Sequence, residues 1–221
     1  LAAPLVTGAI EVYNSCLRDL RPTPAKSHYQ FNLRDISKVF QGILMMSPKR
    51  VTTTQDIVRM WNHENNRVFG DRLINQEDHD WLDRELATVL NKHCSLSMAE
   101  LAPDPVICVD FLVPGADPRI YEEVKDVAVL QPLVEEYLGE YNADSKQPMP
   151  LVLFMDAIAH TARISRVIRQ PKGNVLSVGV GGSGRQSLTR LATHMADYEL
   201  FGIELSKSYD MTAWREDLKL V

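Results

Sequence analysis

The chain has 221 residues, 45% of them hydrophobic and 24% charged, which is the balance of a soluble globular protein with ample material for a core. The net charge of -5 is mild and lacks the basic excess of a nucleic-acid-binding chain, and no apolar run approaches the length of a membrane span or opens the chain as a signal peptide. Cys16, Cys94 and Cys108 lie far apart without a C-x-x-C pair, which points to a reducing compartment and away from a zinc site.

Pro4 opens a first helix, with Leu5, Ile10, Tyr13, Leu17 and Leu20 as its expected apolar stripe. Arg21-Pro22-Thr23-Pro24 ends it, because proline cannot continue the hydrogen-bond ladder. Asn32 is the expected N-cap of a second helix with Ile36, Val39, Phe40, Ile43 and Leu44 inward, closed by Ser47-Pro48. Thr53 or Thr54 caps a longer helix through Ile57, Met60, Trp61, Val68 and Leu73. Asn75 caps a fourth, carrying Trp81, Leu82, Leu86, Val89 and Leu90. Residues 1–100 therefore read as a helical bundle. His63-Glu64 lacks a second histidine four positions after the first, so it is not a zinc-protease pattern and reads as an exposed polar helix turn.

Residues 101–150 hold seven prolines and read as an irregular linker. Val106-Ile107-Cys108-Val109 is a short edge strand or loop, and a helix runs from about Leu130 to Tyr141. Pro148-Met149-Pro150 marks a boundary. Beyond it, residues 151–221 follow a different pattern. A helix through Ile158, Ile164 and Val167 ends at Gln170, a strand is expected at Val175–Val178, and a glycine run leads into another helix at Gln186. A second strand over 200–205 and a helix from Thr212 to Leu220 complete the opening of an α/β domain with a parallel sheet. Between Ala157 and Ala196 there is no acid, but there are Arg163, Arg166, Arg169, Lys172, Arg185 and Arg190. That concentration suits a local anion site, or a solvated basic helix face. The chain opens with leucine rather than methionine, and it is expected to be a segment of a longer polypeptide.

The glycine run, Gly179-Val180-Gly181-Gly182-Ser183-Gly184, fits two nucleotide fingerprints. Read as G-x-G-x-x-G it is a dinucleotide loop, with Glu204 twenty residues on as the ribose-binding acid. Read as G-x-x-x-x-G-K-[ST] it is a degenerate P-loop, with Arg185 in the lysine position, Gln186 in place of the Mg²⁺-binding hydroxyl, and Ser187 one step late. A glycine-rich turn that holds nothing is the third reading. Two apolar runs end in aspartate, Val106–Asp110 and Leu151–Asp156, but both precede the loop, whereas the Mg²⁺-holding strand of an ATPase usually follows it. Neither is assigned that role.

Several blocks break the tie. Pro22 to Ser37 (PTPAKSHYQFNLRDIS) resembles a signature of axonemal dynein heavy chains, where it opens the helical lid of the third AAA+ module. Trp61 to Leu73 (WNHENNRVFGDRL) is similar to the next block of that lid, and Leu151 to His160 with Gly173 to Leu188 resemble the start of the fourth module and its P-loop. The resemblance implies a mainly α helical lid followed by the start of an α/β P-loop NTPase core of the AAA+ class. It further implies a nucleotide site at Gly179, Val180, Gly181, Gly182, Ser183, Gly184, Arg185, Gln186 and Ser187, holding ATP or ADP. Gln186 fits the axonemal pattern, yet argues against Mg²⁺ coordination and rapid hydrolysis. Arg34 matches the sensor arginine of the third module's lid, and Leu151, Val152 and Leu153 match a strand that flanks adenine. The implied whole is a microtubule motor of the ciliary or flagellar axoneme, in the cytoplasm and cytoskeleton. Its neighbouring AAA+ modules would be partners within the chain. Microtubules and light or intermediate chains would bind elsewhere, and no membrane or nucleic acid is involved.

Overall fold

Three helices start at the side chains that the sequence singles out. Asn32, Thr53 and Asn75 each sit in extended backbone and accept a hydrogen bond from the first turn that follows. At Asn32 and Thr53 an aspartate three residues on (Asp35, Asp56) returns a bond to the cap backbone, which makes capping boxes. The computed structural model describes residues 2–97, 106–203, 206 and 208–220. It divides into two compact units, Leu1–Gln131 and Pro132–Val221.

The first unit contains α1 (Ala2–Asp19), α2 (Leu33–Ile43), α3 (Thr54–Val68) and α4 (Gln76–Cys94). The inward stripe of α1 is Leu5, Ala9, Val12 and Cys16, followed by Leu20, whereas Ile10 and Leu17 are each 44% exposed. The expectation of larger residues inward is corrected by how closely the helices approach. A Cβ on Gly8 would lie 3.0 Å from Val89 and 3.4 Å from Trp61, so small side chains face α3 and α4. The Trp61 indole donates to the Leu5 carbonyl at 3.0 Å. On α2, Val39 is buried and Ile36, Phe40 and Ile43 are half-buried, but Leu44, expected inward, is 82% exposed.

A two-stranded antiparallel ribbon, β1 (Cys108–Val109) and β2 (Glu122–Glu123), pairs Cys108 with Glu123 and Val109 with Glu122. Its segment also bridges Met46 to Tyr121 and packs Tyr121 with Met46, Met60 and Cys108. This overturns the exposed reading of His63-Glu64. Both are buried: His63 Nδ1 donates to the Val106 carbonyl (2.8 Å), and the Tyr121 hydroxyl, 3.1 Å from His63 Nε2, donates to Glu64 Oε1 at 2.9 Å. The polar face of α3 is inside because a later segment covers it.

The second unit contains all but the first two residues of α5 (Leu130–Asp144), with α6 (Met155–Ile168), α7 (Arg185–Met195) and α8 (Met211–Leu220). Helices α6 and α7 pack against each other; Ala157, Ile158, Thr161, Ala162 and Ile164 are buried on one and Leu191, Ala192 and Met195 on the other. The strands expected at 151–153, 175–178 and 200–205 are irregular in their described parts, and residues 204 and 205 lie outside the described residues. Leu176 and Val178 are 90% and 85% exposed. A β-strand exists only through its ladder, and among the described residues these segments have no neighbour to pair with.

Candidate phosphate-binding loop

The glycine run folds as a tight turn feeding α7. Gly182 (φ +80°) and Gly184 (φ +78°) occupy the left-handed region, which costs an L side chain about 1–2 kcal/mol. Gly184 is the N-cap, and having no side chain it places no cap hydrogen bond on the first helical turn. The first intrahelical bond is Leu188 N–H to Gly184 carbonyl at 2.8 Å, so the N–H groups of Arg185, Gln186 and Ser187 have no helical acceptor. No acid lies in that turn. Orphan donors, the positive end of the helix dipole and a stretch free of carboxylates together make an anion site.

Inside the loop, the Val180 carbonyl accepts from Ser183 N–H (3.3 Å) and from Arg185 Nη2 (3.1 Å). Gly179 has an ordinary φ, but a Cβ there would sit 2.8 Å from Ser183 Oγ and 3.6 Å from Arg185 Cδ. Gly179 to Ser183 are exposed, Gly184, Arg185 and Ser187 are half-buried, and Gln186 is exposed. Leu153 is buried, Leu151 half-buried, and Val152 is 86% exposed. Further along α7, the hydroxyls of Thr189 and Thr193 bond back to the Arg185 and Thr189 carbonyls at 2.8 Å.

In the first unit Arg34 stands on the first turn of α2, exposed. Its N–H donates to Asn32 Oδ1 at 2.9 Å, and among the described residues its guanidinium makes no ion pair. Its neighbour Asp35 is buried and ion-paired to Arg72, which also reaches the Gln30 carbonyl and stacks over Phe31. Tyr29 and Lys26 bond Asp78 at 2.8 and 2.5 Å, and the Ile74 N–H donates to the Tyr29 hydroxyl at 3.0 Å. Burial pushes the Tyr29 phenol up to about 12. Sequence reading did not identify these buried pairs. Asp35 and Arg72 fall inside the two blocks that carry the family resemblance, but Asp78 lies beyond them, and no local pattern links it to Tyr29 and Lys26.

Among the described residues no group of three or more His, Cys, Asp or Glu side chains is placed to hold a metal ion, and no helix is long and apolar enough to cross a membrane.

Two family models match the chain: an AAA+ lid domain over residues 5–100, and a P-loop containing dynein motor region D4 over residues 149–221. Dynein axonemal heavy chain 1 of Mus musculus is 50% identical over 222 residues, and that of Homo sapiens 50% identical over 219; these alignments cover 100% and 99% of this chain. Human dynein axonemal heavy chain 6 is 45% identical over 99% of the chain. The chain belongs to the axonemal dynein heavy chains. It spans 5% of the length of each of these dynein relatives. The AAA+ lid match covers the mainly helical first unit through α4, and the dynein P-loop match covers the glycine run and α7. The dinucleotide reading of Gly179, Gly181 and Gly184 receives no support from these matches, and its acid, Glu204, lies outside the described residues.

Proposed function

We propose that this chain is a regulatory, nucleotide-binding part of an ATP-driven microtubule motor of the axoneme. Residues 1–100 act as the lid of one AAA+ module, 101–150 as a linker, and 151–221 as the opening part of the next module. The phosphates of ATP or ADP lie on Gly179, Val180, Gly181, Gly182, Ser183, Gly184, Arg185, Gln186 and Ser187. One observation carries this reading: two left-handed glycines deliver the chain into an uncapped, acid-free helix start.

Arg185 supplies the fixed positive charge, and the amides of the first turn supply directed donors. Gln186 is not a hydroxyl ligand, and Ser187 is turned about 100° around the helix from that position. Mg²⁺ is therefore held weakly here, turnover is slow, and the site works by favouring one arrangement of neighbouring modules of the same chain. Leu151, Val152 and Leu153 flank the adenine. Arg34, exposed and without an ion pair among the described residues, reaches toward the γ-phosphate of the lid's own module. Microtubules and the light and intermediate chains engage other parts of the motor, in the cilium or flagellum.

Equilibrium titration with fluorescent ADP, ATP and NADH tests the site. The account expects saturable binding of ADP and ATP, no binding of NADH, and roughly tenfold or greater weakening in Gly184→Val, where a β-branched residue must adopt positive φ. Binding of NADH with indifference to ATP, or no binding of any of the three, would overturn it.

A further inference from the structure

Arg185 spends one of its N–H groups within the loop itself. From the structure we infer that Arg185 is the clasp that holds the glycine loop in its anion-ready shape, in addition to being its cation. The second half of this statement rests on the phosphate reading proposed above; the first half does not.

Little else holds the tip of the loop. Val180 is exposed, and a Cβ on Gly181 or Gly182 would meet no atom within 4 Å, so no packing restrains them. The one backbone bond across the turn, Ser183 N–H to Val180 carbonyl, is long at 3.3 Å. Arg185 Nη2 donates to the same carbonyl at 3.1 Å and bridges from the helix start back to the far side of the turn. Glycine loses more conformational freedom on ordering than any other residue, so a loop of four glycines in six residues needs such a tether.

Gly179 lies beside it. Its φ is not positive, so conformation does not demand glycine there. Ser183 Oγ lies 2.8 Å from where a Cβ would stand and would have to turn aside, whereas Arg185 Cδ, at 3.6 Å, would only be in ordinary contact with it. The guanidinium suits the double task. It carries five N–H groups in a rigid plane, so one can stay on Val180 while the others meet phosphate oxygens. A lysine ammonium holds its three N–H donors on one atom, so it lacks the spread to keep Val180 with one nitrogen while another reaches phosphate oxygens. Arginine in the lysine position of the P-loop is then a functional exchange: it orders the loop before the anion arrives.

The test compares amide exchange at Gly181 to Gly184 in the nucleotide-free chain for wild type, Arg185→Met and Arg185→Lys, with ADP titrations alongside. Exchange at Leu191 to Met195 in α7 reports whether each variant is folded. The expected result is loop exchange about fivefold faster in Arg185→Met with α7 unchanged, the effect of one lost hydrogen bond. Arg185→Lys keeps the charge, yet binds ADP about fivefold more weakly than wild type. Loop exchange in Arg185→Met equal to wild type, with α7 intact, overturns the clasp even if ADP binding is lost. Faster loop exchange in a protein that binds no nucleotide in any form supports the clasp and overturns the phosphate reading instead.

Discussion

Asp56 shows how far a few donors can carry one carboxylate. Burial raises its pKa, but the backbone and hydroxyl of Thr53 and Thr52 more than offset that and hold the carboxyl at about 2, against an ordinary value of 3.8. The Thr52 N–H, Thr52 hydroxyl and Thr53 N–H reach the same oxygen at 3.0, 2.9 and 2.8 Å. A carboxyl whose folded pKa is depressed contributes stability in full above its unfolded value, and that stability disappears as pH falls through the folded one. The contribution is therefore present above about pH 4, lost toward pH 2, and worth about 2 kcal/mol. Urea denaturation of Asp56→Asn should show stability reduced by about that much at pH 7 and a flattened acid limb between pH 4 and 2. An acid limb as steep as that of wild type would contradict this role for Asp56. The same residue-scale logic separates the glycines of the loop: Gly182 and Gly184 answer a demand of φ, and Gly179 answers a demand of space.

Elements were legible where their causes are local. The caps Asn32, Thr53 and Asn75 lie within three residues of the amides they serve, and the prolines at 22, 24 and 48 end runs that no proline can continue. The face of α1 was not legible, because the choice between Ile10 and Ala9 depends on how closely α3 and α4 approach. Periodicity favours the larger side chain, and the contact at Gly8 requires the smaller one. Truncating one residue from each face separates the two. Leu5→Ala should cost about 2–5 kcal/mol and Leu17→Ala no more than about 0.5, read from urea midpoints. Equal costs would restore the broader stripe. The burial of His63 and Glu64 was hidden for a related reason, since Tyr121 comes 58 residues after His63. The strands at 151–153, 175–178 and 200–203 fail in the same way. Their apolar content is plain in sequence, but a strand needs a partner, and partner identity is the least local information a chain carries.

At the scale of the whole molecule, the two units have different grounds for their parts in the proposed function. The lid match coincides with the helical unit, whose blocks at Pro22–Ser37 and Trp61–Leu73 are held by buried pairs such as Asp35 with Arg72 and Asp78 with Tyr29. The P-loop match coincides with a stretch that carries six bases and no acid, and that opens its helix on bare amides. The glycine run was visible from sequence as a phosphate cradle, but the contact between Arg185 and Val180 was not, because no motif records which carbonyl a side chain bonds. The central claim is that this loop takes the phosphates of a nucleotide. Amide hydrogen exchange of the chain with and without saturating ADP measures it most directly. The account predicts protection concentrated at Gly181 to Leu188, with the helices of the lid unaffected. Protection confined to other segments, or none at these amides under saturating ADP, would contradict it.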